Sequence, residues 1–109
     1  MGLRRGDVAI VIAPGDYGKA RPALVLQSDV FQETESVVVA LITSDKRPGS
    51  ALFRKAIAPS DGNGLRRRSD VMLDKLVSLP RAKIGEAIGH LTSAEMSEIT
   101  ASLVLFLGM

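Results

Sequence analysis

Short apolar runs alternate with clusters of turn-forming residues over the first two thirds of the chain. The apolar runs are about five to eight residues long and rich in β-branched side chains, which is typical of β-strands joined by loops. Two runs, at 24–26 and 37–42, are continuously apolar, so we expect them to be buried on both faces of a sheet. The predicted strands are Asp7–Ile12, Arg21–Gln27, Ser36–Thr43, Ala51–Ala58, Asp70–Val77 and Lys83–Gly89.

The last part of the chain changes to the spacing of an α-helix. Thr92 and Glu95 fit a capping box, in which each side chain accepts a hydrogen bond from the other residue's backbone amide. Gly108 is placed to end the helix. Apolar residues at spacings of mostly three or four form one stripe, which we expect to cover the sheet: Met96, Ile99, Leu103, Phe106 and Leu107.

Five or six strands followed by one helix predict a mainly β fold. A closed antiparallel barrel with a packing helix fits this order, because closure removes exposed strand edges. Periodicity alone fits another small α+β domain equally well. The chain has 109 residues, 46% hydrophobic and 24% charged, which is the composition of a globular protein, and we predict a single domain over residues 1–109.

The composition removes several kinds of chemistry. The chain has no cysteine, which excludes disulfides, a thiolate nucleophile and sulfur-ligated zinc. No histidines and carboxylates are grouped at metal-ligand spacing, so we expect no metal and no cofactor. The N-terminal residues lack an apolar signal segment, and no apolar run approaches the length of a membrane span. We therefore expect a cytoplasmic protein with no membrane partner.

Basic residues gather in the second half of the chain. The net charge is only +2, but Arg66, Arg67 and Arg68 stand together, and further lysines and arginines are near them in sequence. If these residues share a face, the phosphates of a nucleic acid are the natural ligand. A solvated, charged turn that leads into a strand is the alternative interpretation.

Four blocks of sequence, taken in order, resemble the MazF/PemK family of toxins across nearly the whole chain. Arg5–Val8 is similar to the family's opening strand, and Arg21–Phe31 to its second strand and exit turn. Leu41–Ser44 is similar to the end of its third strand, and Ile88–Met96 to its final strand and helix start. A Leu-Gly ending at 107–108 completes the likeness. The order and spacing of the blocks are more specific than any one block.

This resemblance implies a fold, an activity and partners. The implied fold is an SH3-like antiparallel barrel with a C-terminal helix, in agreement with the predicted strands. The implied protein is a homodimeric toxin of a type II toxin–antitoxin system, held in check by a cognate antitoxin. Its implied activity is sequence-specific, metal-independent cleavage of single-stranded RNA by attack of the 2′-OH, which leaves a 2′,3′-cyclic phosphate and a 5′-OH.

The resemblance also implies catalytic residues. The family's arginine and threonine map onto Arg21 and Thr43, and an acidic residue implicated in some members maps onto Asp74. A guanidinium can bind two phosphate oxygens, a threonine hydroxyl can donate to a non-bridging oxygen, and a carboxylate can accept the 2′-OH proton. Without the resemblance, Arg21 would be a surface or ion-paired residue, and Asp74 a solvated partner of Lys75.

Polar and basic residues near the predicted loops are expected to contact the RNA. These residues are Lys19, Ser44, Lys46, Arg47, Arg66, Arg67, Arg68 and Lys75. His90 is the only histidine and precedes the helix cap, where a structural role is the simpler interpretation. The chain departs from some family members at Met72 and Val77, where they carry basic residues, and in having no histidine in the first loop.

Two other functions fit the same fold. The gyrase-inhibiting CcdB toxins share the barrel and act through the C-terminal helix, but this chain has no tryptophan and resembles their tail less well. A catalytically silent barrel that binds RNA or protein would explain the missing basic residues at Met72 and Val77. Assays of RNA cleavage and of gyrase separate the three functions.

Overall fold

A computed structural model of the protein describes residues 2–45, 49 and 52–109. Within this part of the chain each predicted strand and the helix are present, and no helix is long and apolar enough to cross a membrane. The elements are β1 (Asp7–Ile12), β2 (Ala20–Val25), β3 (Ser36–Thr43), β4 (Arg54–Ile57), β5 (Ser69–Pro80), a 3-10 turn (Arg81–Lys83), β6 (Ile84–His90) and α1 (Ser93–Leu107). Over the described residues the fourth strand is shorter than predicted and the fifth is longer; Ala51, the predicted start of the fourth strand, lies outside the described residues.

The strands form one antiparallel sheet in the order β4-β5-β3-β2-β1-β6. The mainly β class with a C-terminal helix is therefore confirmed, but the sheet does not close by strand pairing, since β4 and β6 form its two edges among the described residues. The loop between β4 and β5 lies against β6 instead. In this contact the backbone amide of His90 donates to the carbonyl of Gly62 at 2.9 Å.

Both faces of the sheet carry buried side chains. One face packs against α1 through a cluster that includes Leu24, Ile42 and Ile99. The opposite face carries a second cluster, which includes Val25 and Val39. The run at 24–26 is buried as predicted, whereas the run at 37–42 is interrupted by an outward-facing side chain, Val38, which is 37% exposed.

Helix α1 begins and ends as its sequence predicts. Both hydrogen bonds of the capping box between Thr92 and Glu95 are present, and Gly108 ends the helix with a left-handed φ of 73°. The predicted apolar stripe is only half correct. Met96, Ile99 and Leu103 pack against the sheet, but the last turn extends past the core and leaves its apolar side chains exposed. Those side chains are Val104, Leu105, Phe106 and Leu107.

Candidate functional site

An open cleft of about 690 Å³ lies where β2 begins and β3 ends, beside the loop that precedes β5. Its lining combines apolar residues such as Pro22, Ile42 and Leu65 with polar and basic ones. The fold thus gathers residues that are far apart in the sequence. Six of the residues predicted from the sequence line this cleft: Lys19, Arg21, Thr43, Ser44, Arg66 and Arg67.

The register of β2 and β3, continued beyond their last paired residues, brings Arg21 and Thr43 side by side. In this antiparallel pair Ala23 lies opposite Leu41. Continuing the same register by two residues on each strand puts Arg21 opposite Thr43, and both residues belong to their strands. Opposite residues on antiparallel strands project to the same face with Cβ atoms about 4.5–5.5 Å apart. A single phosphate group can therefore contact both side chains.

Arg21 is held by an acidic residue that the sequence analysis did not single out. Its Nη2 donates to Asp16 Oδ1 at 3.1 Å, and its Nε lies 2.7 Å from Asp16 Oδ2. Asp16 sits in the loop between β1 and β2, where Tyr17 has a left-handed φ of 53° and the Lys19 amide donates to the Asp16 carbonyl. The ion pair that was the alternative interpretation of Arg21 is therefore present, and it lies at the cleft itself.

Thr43 ends β3 in a turn that uses its own hydroxyl. The backbone amide of Asp45 donates to Thr43 Oγ1 at 3.1 Å. This bond fixes one of the two acceptor positions of the hydroxyl. The neighbouring Ser44 is exposed at the rim of the cleft.

Asp74 lies apart from the cleft lining. Its carboxylate faces Arg54, with Nε 3.4 Å from Oδ1 and Nη2 3.4 Å from Oδ2. The Arg54 side chain is only 8% exposed, and its guanidinium lies 5.9 Å from the centre of the Phe53 ring. The partner of Asp74 is thus Arg54 of β4, whereas Lys75, its partner in the alternative interpretation, is exposed to solvent.

The basic loop before β5 rests on a buried asparagine. Asn63 is 1% exposed, and its amide group donates to the Ala58 carbonyl at 2.9 Å. Its Oδ1 accepts from the amides of Ser60 at 3.1 Å and Leu65 at 2.9 Å. A Cβ at Gly89 of β6 would lie 2.4 Å from the Asn63 backbone and would clash with it. The loop can therefore pack on β6 only because residue 89 is a glycine. The packing fixes where the two arginines that follow in the chain leave the loop.

The remaining predicted residues lie elsewhere. Arg68 and Lys75 are exposed and do not line the cleft, and His90 is exposed with its backbone bound to the loop. Lys46 and Arg47 lie outside the described residues. Over the described part of the chain, no group of three or more histidine, cysteine, aspartate and glutamate side chains is arranged to hold a metal ion.

Comparison with known proteins assigns the chain to a family. A family model described as a PemK-like, MazF-like toxin of type II toxin–antitoxin systems matches residues 4–107. A Mycolicibacterium smegmatis protein named as a probable endoribonuclease MazF is 38% identical over 109 residues, with 98% of each chain covered.

Solved structures share the fold. A mycobacterial endoribonuclease, solved in complex with its cognate antitoxin, is 26% identical with a TM-score of 0.81 over 99% of this chain and 97% of that one. The Mycobacterium tuberculosis toxin MazF-mt6 is 23% identical with a TM-score of 0.80, over 94% and 97%. Since the family model and the Mycolicibacterium smegmatis relative both match nearly the whole chain, this chain belongs to the PemK-like, MazF-like toxins of type II toxin–antitoxin systems.

Proposed function

We propose that this chain is the toxin of a type II toxin–antitoxin system and cuts single-stranded RNA by attack of the 2′-OH on the adjacent phosphate. The observation that carries the proposal is the cleft that Arg21, Thr43, Arg66 and Arg67 line together, in which the register of β2 and β3, continued past the Ala23–Leu41 pair, sets Arg21 opposite Thr43. Family membership and the name of the Mycolicibacterium smegmatis relative support the same activity.

Each residue of the proposed site has a distinct task. RNA supplies its own nucleophile, so the protein must hold the phosphate in line and stabilise the negative charge that develops on it. Arg21 binds the phosphate oxygens through its planar guanidinium after the phosphate displaces the carboxylate of Asp16. The Thr43 hydroxyl contacts the RNA at the same reacting nucleotide. The products are a 2′,3′-cyclic phosphate and a 5′-OH, and no step requires a metal ion.

Neighbouring phosphates of the RNA bind around this centre. Lys19, Ser44, Arg66 and Arg67 contact them from the cleft. Arg68 and Lys75 contact the RNA beyond the cleft, and the same role for Lys46 and Arg47 stays a prediction. Asp74 has no direct part in this proposal, because its carboxylate is bound by Arg54.

The proposal includes partners. The chain acts in the cytoplasm as one toxin domain over residues 1–109 and is inhibited by a cognate antitoxin. The mycobacterial endoribonuclease solved in complex with its own antitoxin supports such a partner. It forms a homodimer. Support for the dimer comes from the last turn of α1, where an apolar side chain such as Leu105 is 78% exposed and would be covered by a second copy.

A cleavage assay with labelled single-stranded RNA in excess chelator tests the proposal. The parent should cut, and Arg21→Ala should cut about 100- to 1,000-fold more slowly, as removal of one donor to a transition-state oxyanion does. Arg21→Lys should recover only part of the rate because it lacks the bidentate fork, and Thr43→Ser should stay near the parent. Arg4→Ala, which removes an arginine with a 75% exposed side chain, is the control.

Several outcomes would contradict the proposal. A magnesium requirement would exclude the metal-independent mechanism. An Arg21→Ala protein that folds, binds antitoxin and cuts at the parent rate would remove Arg21 from the site. A parent that cuts no RNA but stalls gyrase would be a CcdB-like inhibitor, and a parent that does neither yet binds RNA would be a silent binding module.

A further inference from the structure

Asp70 shares the row of Arg21 and Thr43 on the sheet. The pairing of β3 with β5 sets Thr43 directly opposite Asp70. Because opposite residues project to the same face, the Asp70 side chain is the neighbour of Thr43 on the side away from Arg21. Asp70 is also 6% exposed, so its carboxylate is withdrawn from bulk water. A buried carboxylate beside a reactive hydroxyl is a common arrangement for holding or accepting its proton.

An irregularity in β5 creates this neighbour. Along most of the pair, Ala40 lies opposite Leu76, and continuing that register would put Leu73 opposite Thr43. The register instead shifts after Ala40, so that Ile42 faces Val71 and Thr43 faces Asp70. The shift replaces an apolar neighbour of Thr43 by an acidic one.

Asp74 lies outside this row. Asp74 falls in the stretch between Val71 and Leu76 where the ladder with β3 is interrupted. There it binds the nearly buried guanidinium of Arg54. Of the two carboxylates of β5, Asp70 is the one whose position in the ladder lies directly opposite Thr43.

The hydrogen-bonding capacity of Thr43 decides what Asp70 can do. A threonine hydroxyl has one proton to donate and two acceptor positions. The Asp45 amide occupies one acceptor position at 3.1 Å. If the proton points to Asp70, the second acceptor position is left for a donor on the substrate, and the 2′-OH of the RNA is such a donor.

We propose that Asp70 is the positioning residue of the site, which holds the Thr43 proton and so directs a lone pair of Thr43 Oγ1 to the 2′-OH. This inference rests on the proposed RNA cleavage. As the 2′-oxygen bonds to phosphorus and the bond from phosphorus to the 5′-oxygen breaks, the 2′-OH proton moves to Thr43 while the Thr43 proton moves to Asp70. The 5′-oxygen takes a proton from water, and Asp70 returns its proton to solvent after the product leaves.

A double-mutant cycle on single-turnover cleavage tests this coupling. Asp70→Asn should lower the cleavage rate about 100-fold, the scale of a lost proton acceptor, while the Kd for RNA with a 2′-deoxy cut site stays within about twofold. Thr43→Val removes the hydroxyl, so adding Asp70→Asn to it should cost no more than about twofold further. Asp70→Glu keeps the carboxylate, so it should cleave faster than Asp70→Asn and slower than the parent. Asp61→Asn removes an exposed charge and is the matched control.

The outcomes separate this inference from the proposed function. All rates are compared well below each variant's melting temperature, and if Asp70→Asn does not fold, the cycle is run with Asp70→Glu. If Asp70→Asn lowers the rate equally in the parent and in the Thr43→Val protein, or leaves the parent rate unchanged, the inference is overturned while RNA cleavage stands. Coupling of Asp74→Asn with Thr43→Val, in place of Asp70, would overturn it as well. Failure of the parent to cut RNA would instead overturn the proposed function.

Discussion

Arg21 and Asp16 form an ion pair at the cleft, with Nε 2.7 Å from Oδ2 and Nη2 3.1 Å from Oδ1. The side chains are 27% and 19% exposed, so the pair is partly shielded from water. A phosphate that binds Arg21 must therefore compete with a carboxylate already in place. The carboxylate keeps the guanidinium oriented, but it also repels an incoming anion.

Asp16→Asn should tighten the binding of RNA that cannot be cut. The amide keeps the size of the side chain while removing the competing charge. Since pairs of this kind contribute up to about 1 kcal/mol, the Kd should fall by up to about fivefold. Fluorescence anisotropy with 2′-deoxy-substituted RNA measures the change. Glu98→Gln, which removes an exposed charge on α1, should leave the Kd unchanged, and an unchanged Kd in Asp16→Asn would show that the pair does not oppose phosphate binding.

Asn63→Ala should destabilise the protein more than any exposed substitution in the same loop. The side chain is 1% exposed, and its loss leaves the Ser60 and Leu65 amides and the Ala58 carbonyl without their partner. Loss of such buried partners costs about 1–3 kcal/mol each before the loop relaxes, so we expect a loss of about 2–4 kcal/mol in the free energy of unfolding.

Urea unfolding monitored by circular dichroism measures that loss. Asp61→Ala, in the same loop but exposed, should change the free energy of unfolding by no more than about 0.5 kcal/mol. Similar values for the two variants would mean that the hydrogen bonds of Asn63 do not hold the loop on β6. The test matters for function because Arg66 and Arg67, which line the cleft, directly follow Leu65, whose amide Asn63 binds.

Local sequence signals predicted most of the elements. The capping box between Thr92 and Glu95 and the alternation of apolar runs with turns are determined by residues close together in sequence, and both appear in the structure. The exposed end of α1 was not predictable in this way. The spacing of Phe106 matches that of the buried residues before it, and only the extent of the sheet determines that it lies beyond the core.

The partners of the candidate site depend on features with no local signal. Asp16 reaches Arg21 through a loop conformation that includes a left-handed Tyr17. Asp70 reaches the row of Thr43 through a register shift in β5, and the spacing of polar residues along a strand does not reveal such a shift. The family resemblance therefore identified Arg21 and Thr43 from their positions in the sequence. It could not identify Asp16 and Asp70, the two carboxylates next to them.

Leu105→Lys should weaken the proposed homodimer without unfolding the chain. Leu105 is 78% exposed in a single copy, so a charged side chain there meets water in the monomer but would be buried without a partner in a dimer that uses this surface. Sedimentation velocity at micromolar concentration should show the parent as a dimer and the variant shifted toward an 11.6 kDa species. An unchanged dimer would place the interface elsewhere. Ser97→Lys, exposed on an earlier turn of α1, is the control.

Binding of uncleavable RNA should weaken as the salt concentration rises, because each arginine or lysine side chain that contacts a phosphate releases a counterion from the RNA. Arg66 and Arg67 line the cleft, and each should contribute about 0.7 to the slope of log K against log salt concentration on single-stranded RNA. Arg66→Gln and Arg67→Gln should therefore each flatten the slope by about that amount and weaken binding at low salt. Arg4→Gln, at an arginine whose side chain is 75% exposed and pairs with Asp29, should leave the slope unchanged. If the Arg66 and Arg67 variants keep the parent slope, the two arginines do not touch phosphate, and the loop that Asn63 holds is a solvated charged turn.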